Sequence, residues 1–412
     1  MQALVFRYSL PRLAFARILG LFDPRAYLIR GGPLSLEEIP EPVLHADDWV
    51  IVRTRLVGIC GSDTKQVFLE GAMDNPLTGM ITFPQVLGHE AVGVVEKIGP
   101  GVTKHQVGDR VVLNPWLSCT PRGISPVCDA CERGEYYLCD HFMDGNLPPG
   151  MHIGNCTTAT GAYAPLFAAH ESQLFPIPDQ VSFDQAVFAD PFSVSLHAVL
   201  KAPPAHGSLA VVYGCGTLGL LTIPILRTFY PSTQVVAIAR YDHQVDMARQ
   251  MGAQHILQTD EPVEIIEAIA DLVGTRIYQP WNGLPMLMRG VDVIYDTVGS
   301  AETFEIGLRV AGPHARHVVT GVAIPARFEW TPHYFKEVEL IGSNAFGVET
   351  FEGQRLHSME IYLNLLAEGR LEMPNLITHR YRLEDFQTAF LITHAKIKSN
   401  AIKAVIDYEL KE

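Results

Sequence analysis

Residues Leu209 to Leu221 read LAVVYGCGTLGLL, an apolar run followed by three glycines and a second apolar run. The first run is short and branched enough for a buried strand, and the second continues as TLGLLTIPILRTFY, a helix pattern. Gly214, Gly216 and Gly219 fall in G-x-G-x-x-G spacing between them. That spacing alone is a weak signal, but between a strand and a helix it reads as a dinucleotide-binding turn. The first glycine permits the tight turn. The second lets backbone N–H groups, those of Thr217 and Leu218 among them, approach a pyrophosphate. The third lets helix and strand pack closely. The helix N-terminus adds its positive dipole end. A glycine-rich turn that holds no ligand is the competing reading, and the strand–turn–helix context weighs against it.

Working outward, the alternation continues. QVVAIAR (234–240) is a second strand and DHQVDMARQMGA (242–253) a second helix, and VDVIYDTVG, HVVTGV and VELIGS follow as further apolar strands. This order predicts a parallel sheet with crossover helices. An NAD site carries an acid at the end of the second strand, about 20 residues past the glycines. Here Ala239, Arg240 and Tyr241 stand there, and Asp242 lies beyond the strand end. Ala239 leaves space and the Arg240 guanidinium suits a 2′-phosphate, so NADP(H) is expected over NAD(H). An Arg240 that points into solvent would weaken that expectation.

Before this region the pattern is different. WVIVRTRLVGI (49–59), AVGVVEKIG (91–99) and GDRVVLNPW (108–116) are strand-like and punctuated by Gly, Pro and Asp, as in an all-β module. FDQAVFADPFSVSLHAVL (183–200) and MEIYLNLLAEGRL (359–371) read as helices, and AIKAVIDY (401–408) as a final strand. The chain of 412 residues has room for two or three domains. Its net charge of −14 argues against capture of a nucleic-acid backbone. No apolar run is long enough to span a membrane. MQALVFRYSL lacks the regions of a signal peptide, so a cytoplasmic protein is expected. Arg7 to Phe22, rich in arginine and apolar residues, could be a transit peptide or a membrane-surface helix. The reading preferred is a strand, MQALVF, followed by an inserted loop or helix, because Pro11 and Gly20 interrupt any long helix.

Four of the seven cysteines lie in LSCTPRGISPVCDACERGEYYLC: Cys119, Cys128, Cys131 and Cys139. In a large chain without a signal peptide such clustering points to metal rather than disulfides. Cys128, Cys131 and Cys139 have spacing C-x2-C-x7-C, and Cys119 is the nearby fourth thiolate that would close a structural zinc site. A redox C-x-x-C pair is the rival; it belongs at a helix N-terminus beside a βαβ pattern, which this segment lacks. A second set, Cys60 in GICGSDTK with His89 and Glu90 in LGHEAVG, has the mixed donors of a catalytic zinc. On spacing alone, Cys60 packing as a small hydrophobe is the stronger reading.

Together GICGSD, PQVLGHEAVGVVEKIGPGVTKHQVGDRVVLNP, the cysteine cluster and VVYGCGTLGLL resemble the zinc-dependent medium-chain dehydrogenase/reductase family, in that family's order and over nearly the whole chain. The resemblance implies an α/β protein. A GroES-like β-rich catalytic domain (1–192 and 345–412, with a structural zinc lobe at about 117–140) would be interrupted by a Rossmann domain (193–344). The active site would lie in the cleft between them. It implies two zinc ions per chain, a small alcohol or carbonyl substrate, and a homodimer or homotetramer. Cys60 and His89 match the catalytic zinc ligands, and Glu90 an acid that is a direct ligand in the polyol and sugar dehydrogenase branch. Asp190, before Pro191, matches an acid of that branch, bound directly or through water. Ser62 matches the hydroxyl that passes the substrate proton on, and Asp63 a residue beside the zinc shell. Lys65 stands where many relatives have histidine at the outer end of the relay. The backbone near Val298, Val322 and Phe346 would border the nicotinamide. The eight residues between Cys119 and Cys128, where the family usually has two, and the stretches 7–32 and 277–288 depart from the pattern. In the last, Trp281 could serve an oligomer contact or sit in an ordinary buried loop. A zinc-free ene or quinone reductase on the same fold would lack the cysteines and the Cys60, His89 and Glu90 set. A non-catalytic scaffold would have lost a ligand or a glycine.

Overall fold

The computed structural model describes residues 1–71, 75–324, 326–395 and 399–410. Contacts divide the chain into two units: Met1–Asp190 with Gly347–Ala367 and Asn375–Glu412, and Pro191–Phe346 with Glu368–Pro374.

The first unit is built on antiparallel strands. Its larger sheet runs in the order Ile377–Tyr381, Lys403–Asp407, Trp49–Gly58, Glu90–Ile98, Arg110–Leu113 and Leu174–Pro176, with Leu166–His170 also paired to Trp49–Gly58. Alternate residues such as Val50, Val52, Val95 and Val111 enter one apolar core with Tyr163, Phe167 and Phe390. A smaller sheet pairs Gln2–Phe6 with Leu34–Glu38 and Gln85–Val86. Between Val86 and the strand that begins at Glu90, Gly88 adopts φ +94°, and a Cβ there would meet the Tyr163 backbone N at 2.8 Å. Only glycine accepts that turn, and His89 and Glu90 follow it directly.

The insertion after the first strand forms the helix Leu10–Gly20. Pro11 does not interrupt it: Pro11 lies in the first turn, where its missing N–H costs nothing, and the Ser9 side chain caps the Arg12 N–H. Leu21 and Phe22 beyond it are exposed. Among the described residues no helix is long and apolar enough to cross a membrane.

The second unit holds six parallel strands: β1 Leu209–Tyr213, β2 Gln234–Ala239, β3 His255–Gln258, β4 Val291–Asp296, β5 Ala311–Val319 and β6 Glu339–Gly342. Their order is β3-β2-β1-β4-β5-β6, the doubly wound order in which ligands bind where the order reverses, at the carboxyl ends of the strands. Helices Thr217–Phe229 and Pro262–Val273 carry apolar residues into its cores, Ile265, Ile266 and Ile269 against Val236 and Ile238 among them. The 277–288 stretch is a pair of two-residue strands, Ile277–Tyr278 and Met286–Leu287. Trp281 at its tip is fully exposed, which removes the reading of a buried loop.

Gly214 and Gly219 show the backbone constraints expected of the turn, and the space beside Gly216 is open. Gly214 sits at φ +91°. A Cβ on Gly219 would lie 1.8 Å from the Gly214 carbonyl oxygen, whereas one on Gly216 would meet nothing within 4 Å. Gly219→Ala is therefore expected to force the helix off the turn, at a cost of about 1–3 kcal/mol. Gly216→Ala, at φ −79°, is expected to leave stability within about 0.5 kcal/mol. Urea unfolding of the two variants checks the contrast.

Candidate active site and thiol lobe

The ligand atoms of Cys60, His89 and Glu90 all lie within 4.8 Å of one another. Cys60 ends the strand Trp49–Gly58 two residues on and caps the helix Gly61–Val67. The gly-turn before His89 brings the other two donors from the neighbouring strand, where Glu90 faces Gly58 in register. His89 Nδ1 is 3.4 Å from Asp63 Oδ1, and Tyr163 Oη donates to Asp63 Oδ2 at 2.7 Å. Burial alone would raise the Asp63 carboxyl; His89 and the Tyr163 hydroxyl outweigh it and hold Asp63 below the usual range. Burial likewise opposes charge on His89, yet Asp63 and Cys60 raise it well above an ordinary histidine. With Asp63 on Nδ1, Nε2 is the nitrogen left for a ligand, an arrangement metal-binding histidines share.

Glu90 is also the partner of a residue that the sequence reading missed. Lys403, in the strand Lys403–Asp407, forms a buried ion pair with Glu90 Oε2 and donates to the Ile59 carbonyl at 3.3 Å. Burial works against its charge, but Glu90 and Cys60 raise it above an ordinary lysine. A Cβ on Gly58 would lie 2.3 Å from Glu90 Oε2 and 2.6 Å from Lys403 Cε, so only glycine leaves room for the pair. The signal in the sequence was a single lysine in the apolar run AIKAVID.

Asp190 is buried, at the start of the helix Ala189–Lys201, but is outside the group of three converging donors. Burial raises its carboxyl to about 7, with His89 and Lys403 opposing and Glu90 and Asp63 adding to the rise. Ser62 is exposed and its hydroxyl donates to Cys60 Sγ at 3.1 Å. Lys65 follows three residues later on the same helix face and is half-buried; burial lowers it below an ordinary lysine, against the pull of Glu70 and Cys60. A second residue missed is His152, whose ring centroid is 4.9 Å from that of His89. Surrounding atoms desolvate it although part of the ring reaches solvent, and with His89 nearby they push it down to about 4. It is a lone histidine in a loop, with no pattern to mark it.

The other four thiols also converge. Cys119, Cys128, Cys131 and Cys139 have all four sulfurs within 4.8 Å, with Cys119 and Cys139 3.6 Å and Cys128 and Cys139 4.0 Å apart. A tetrahedral zinc with bonds of about 2.3 Å to sulfur has edges of about 3.8 Å, so the set fits that ion. The Cys128 and His141 N–H groups donate to the sulfurs of Cys119 and Cys139 at 3.4 and 3.3 Å. S–H donation from Cys139 lowers Cys131 to about 5, while burial raises Cys119 to about 11. Without a cation one thiol ionises at its neighbours' expense; a dication is what lets all four do so. The sequence argument against a redox pair needs one correction. Cys128 does begin a helix, Asp129–Arg133, though a single turn outside any βαβ unit.

The eight-residue insertion between Cys119 and Cys128 contributes Arg122, which is completely buried. Its guanidinium donates to the carbonyls of Leu117 (2.8 Å), Asp144 (2.8 Å), Leu147 (3.0 Å), Pro148 (3.1 Å) and Gly150 (2.5 Å). Burial lowers its pKa, and the charges that oppose this come from Cys156, Cys139, Asp144 and Cys119. Arg122→Met would strand five carbonyls. It is expected to destabilise the first unit by at least ~3 kcal/mol, since each unsatisfied buried group costs about 1–3 kcal/mol. Urea midpoints of wild type and variant check this.

In the second unit, Gly214, Gly216 and Gly219 make the turn after β1, and Gly216 caps the helix that begins with Thr217 and Leu218. The Leu218 carbonyl is taken by the Ser195 and Thr222 hydroxyls. The turns after β4 and β5 meet the same place. A Cβ on Gly214 would contact Val298 Cγ2 at 2.6 Å, and one on Gly321, beside Val322, would contact the Val298 carbonyl carbon at 2.2 Å. Buried Asp296 fixes that turn by accepting from the Val298 and Gly299 N–H groups, both at 2.9 Å. Phe346 is buried beyond the end of β6. The space beside Gly216 is open, as the close approach of a pyrophosphate would require. Arg240, just past β2, is half exposed and ion-paired to Asp260 at 3.1 Å.

Comparison with known proteins agrees with this geometry. Residues 46–179 match the alcohol dehydrogenase GroES-like domain and residues 217–359 the zinc-binding dehydrogenase domain. The chain is 30% identical to the (R,R)-butanediol dehydrogenase of Saccharomyces cerevisiae over 87% of its length and 91% of that protein's. It is 29% identical to the D-xylulose reductase of Scheffersomyces stipitis over 93% and 98%. In fold it is similar to the alcohol dehydrogenase of Aeropyrum pernix, with TM-score 0.73 at 21% identity, over 99% of this chain and 100% of that one. The chain belongs to the zinc-dependent medium-chain dehydrogenase/reductase family, as an oxidoreductase of its alcohol and polyol dehydrogenases.

Proposed function

We propose that the protein interconverts a secondary alcohol of the polyol kind and its ketone, with zinc at Cys60 and His89 and with NADP(H) as the hydride partner. The observation that carries this is the convergence of the Cys60, His89 and Glu90 donors within 4.8 Å, in a chain that also has the strand–glycine–helix turn. Bound there, zinc supplies Lewis acidity toward a substrate oxygen and the nicotinamide supplies or takes hydride. The residues do the rest. Asp63 orients His89 and favours its metal-facing nitrogen. Glu90, its Oε2 paired to Lys403, would offer its other oxygen as a third ligand. Asp190, whose carboxyl burial raises to about 7, would reach the ion through water. Ser62 takes the substrate proton, and Lys65, one turn along the same face, passes it to solvent. The four-thiolate lobe would hold a second zinc, in a structural role. Support for the substrate class comes from the relatives named for butanediol and xylulose.

For the cofactor, the residues past β2 offer a guanidinium and no acid, which favours a 2′-phosphate. The exposed Arg240–Asp260 pair is a surface contact of little energy, so Arg240 is free to exchange it for phosphate. Asp260 favours the second reading, in which it takes a ribose hydroxyl and the cofactor is NAD(H).

Metal analysis of the purified protein is expected to give two zinc ions per chain. Cys60→Ala is expected to lose one of them and all alcohol oxidation while its circular dichroism is retained; turnover that survives in this variant refutes the assignment. Arg240→Ala is expected to lower the ratio of kcat/KM for the phosphorylated over the unphosphorylated cofactor by about tenfold or more, since a charge-assisted hydrogen bond contributes about 1.5–3 kcal/mol. An unchanged ratio rejects the role of Arg240.

A further inference from the structure

The wall beside His89 carries polar atoms that the chemistry above leaves unused. His152 is joined to Trp116 by an antiparallel bridge, and the two rings meet edge to face at 5.9 Å. His152 is anchored through its backbone and one ring nitrogen. Its backbone N–H donates to Asn155 Oδ1 at 2.9 Å, and its Nδ1 lies 2.7 Å from the Ile153 carbonyl oxygen. A carbonyl only accepts, so Nδ1 carries the proton and Nε2 of the neutral ring carries a lone pair. That Nε2 has no hydrogen-bond partner among the described residues. Nearby, Trp116 is 8% exposed and its buried Nε1–H also lacks an acceptor among them. The indole N–H is thus a buried donor with no protein acceptor, whereas the His152 Nε2, on a ring that reaches solvent, is an acceptor open to a ligand. Neither is needed to hold a metal: His152 is outside the converging donor group.

We propose that His152 is a specificity residue whose Nε2 accepts a hydrogen bond from the hydroxyl next to the reacting carbon, so that vicinal diols and polyols are preferred to simple alcohols. This deepens, and rests on, the reading that the reacting oxygen binds at Cys60 and His89. The ring contact with His89 puts His152 beside that oxygen, and the vicinal hydroxyl is the substrate's next polar atom. A hydroxyl can donate to that lone pair, and Trp116, packed edge to face on the ring, holds it in place. An alcohol with a methyl group in that place leaves the His152 acceptor unpaired, which is the stronger form of discrimination.

The test uses zinc-loaded enzyme with nicotinamide cofactor, and compares butane-2,3-diol with butan-2-ol. His152→Asn keeps a donor for the Ile153 carbonyl but has no atom where Nε2 stands. His152→Gln places an amide near that position. The expected result is a fall of about tenfold in kcat/KM for the diol with His152→Asn, the worth of one hydrogen bond to a buried group, and under about threefold for butan-2-ol. Gln should recover most of the loss. Zinc content should stay at the wild-type value in both variants, and the calorimetric Kd of the diol for zinc-loaded enzyme without cofactor should weaken in parallel with kcat/KM. Equal losses on the two alcohols, or no loss on the diol, overturn the proposal. Wild-type enzyme that oxidises neither alcohol nor any other of a panel overturns the reading of the site itself.

Discussion

The Lys403 ammonium and the Glu90 carboxylate meet in the interior of the first unit, 3% and 4% exposed, from positions 313 residues apart in the chain. Burying two charges costs several kcal/mol each, and the pair persists only because each has its partner and because further bonds satisfy them. The pair depends on Gly58, which leaves it space, and on the register that sets Glu90 against Gly58 and Gly58 against Val405. It therefore ties the C-terminal strand to the two strands that deliver Cys60 and His89. Breaking one partner would leave the other charge unpaired beside the donor group, which makes the final strand a part of the site.

The thiol lobe solves a related problem differently. Four thiolates around a dication retain negative charge, and the lobe offers Arg122, fully buried, with five carbonyls around its guanidinium and sulfurs among the charges that sustain it. The insertion that breaks the family's cysteine spacing is thus the segment that ties the lobe to the loop 144–150. Both places hold a buried cation next to a donor cluster. In one the cation grips a candidate donor, and in the other it grips the backbone around the thiols.

The second unit was the more legible. A parallel α/β unit repeats one short-range pattern, apolar strand then amphipathic helix, and its turn chemistry is local, so LAVVYGCGTLG announced both the sheet and the tight turn at its first strand. The first unit was harder to read because its strands pair across long intervals, as Lys403–Asp407 with Trp49–Gly58. Pro11 was read as a breaker because its effect depends on its position within the helix. In the first turn it stands where no N–H is needed, and only the capping geometry of Ser9 reveals that.

Residue type and order determined the fold class, the glycine turn and the identity of the candidate donors, because these follow from periodicity, backbone freedom and donor chemistry that a linear chain carries in itself. Tertiary structure decided what surrounds each donor. Asp63 and Tyr163 behind His89, Lys403 on Glu90 and His152 against His89 come from other segments, Arg122 turns inward from the lobe's own insertion, and Asp190, expected at the metal directly or through water, lies outside the three converging donors. A charge or a lone pair acquires its role from what lies within a few ångströms of it, and those neighbours are set by strand register and loop packing, which the local sequence does not record.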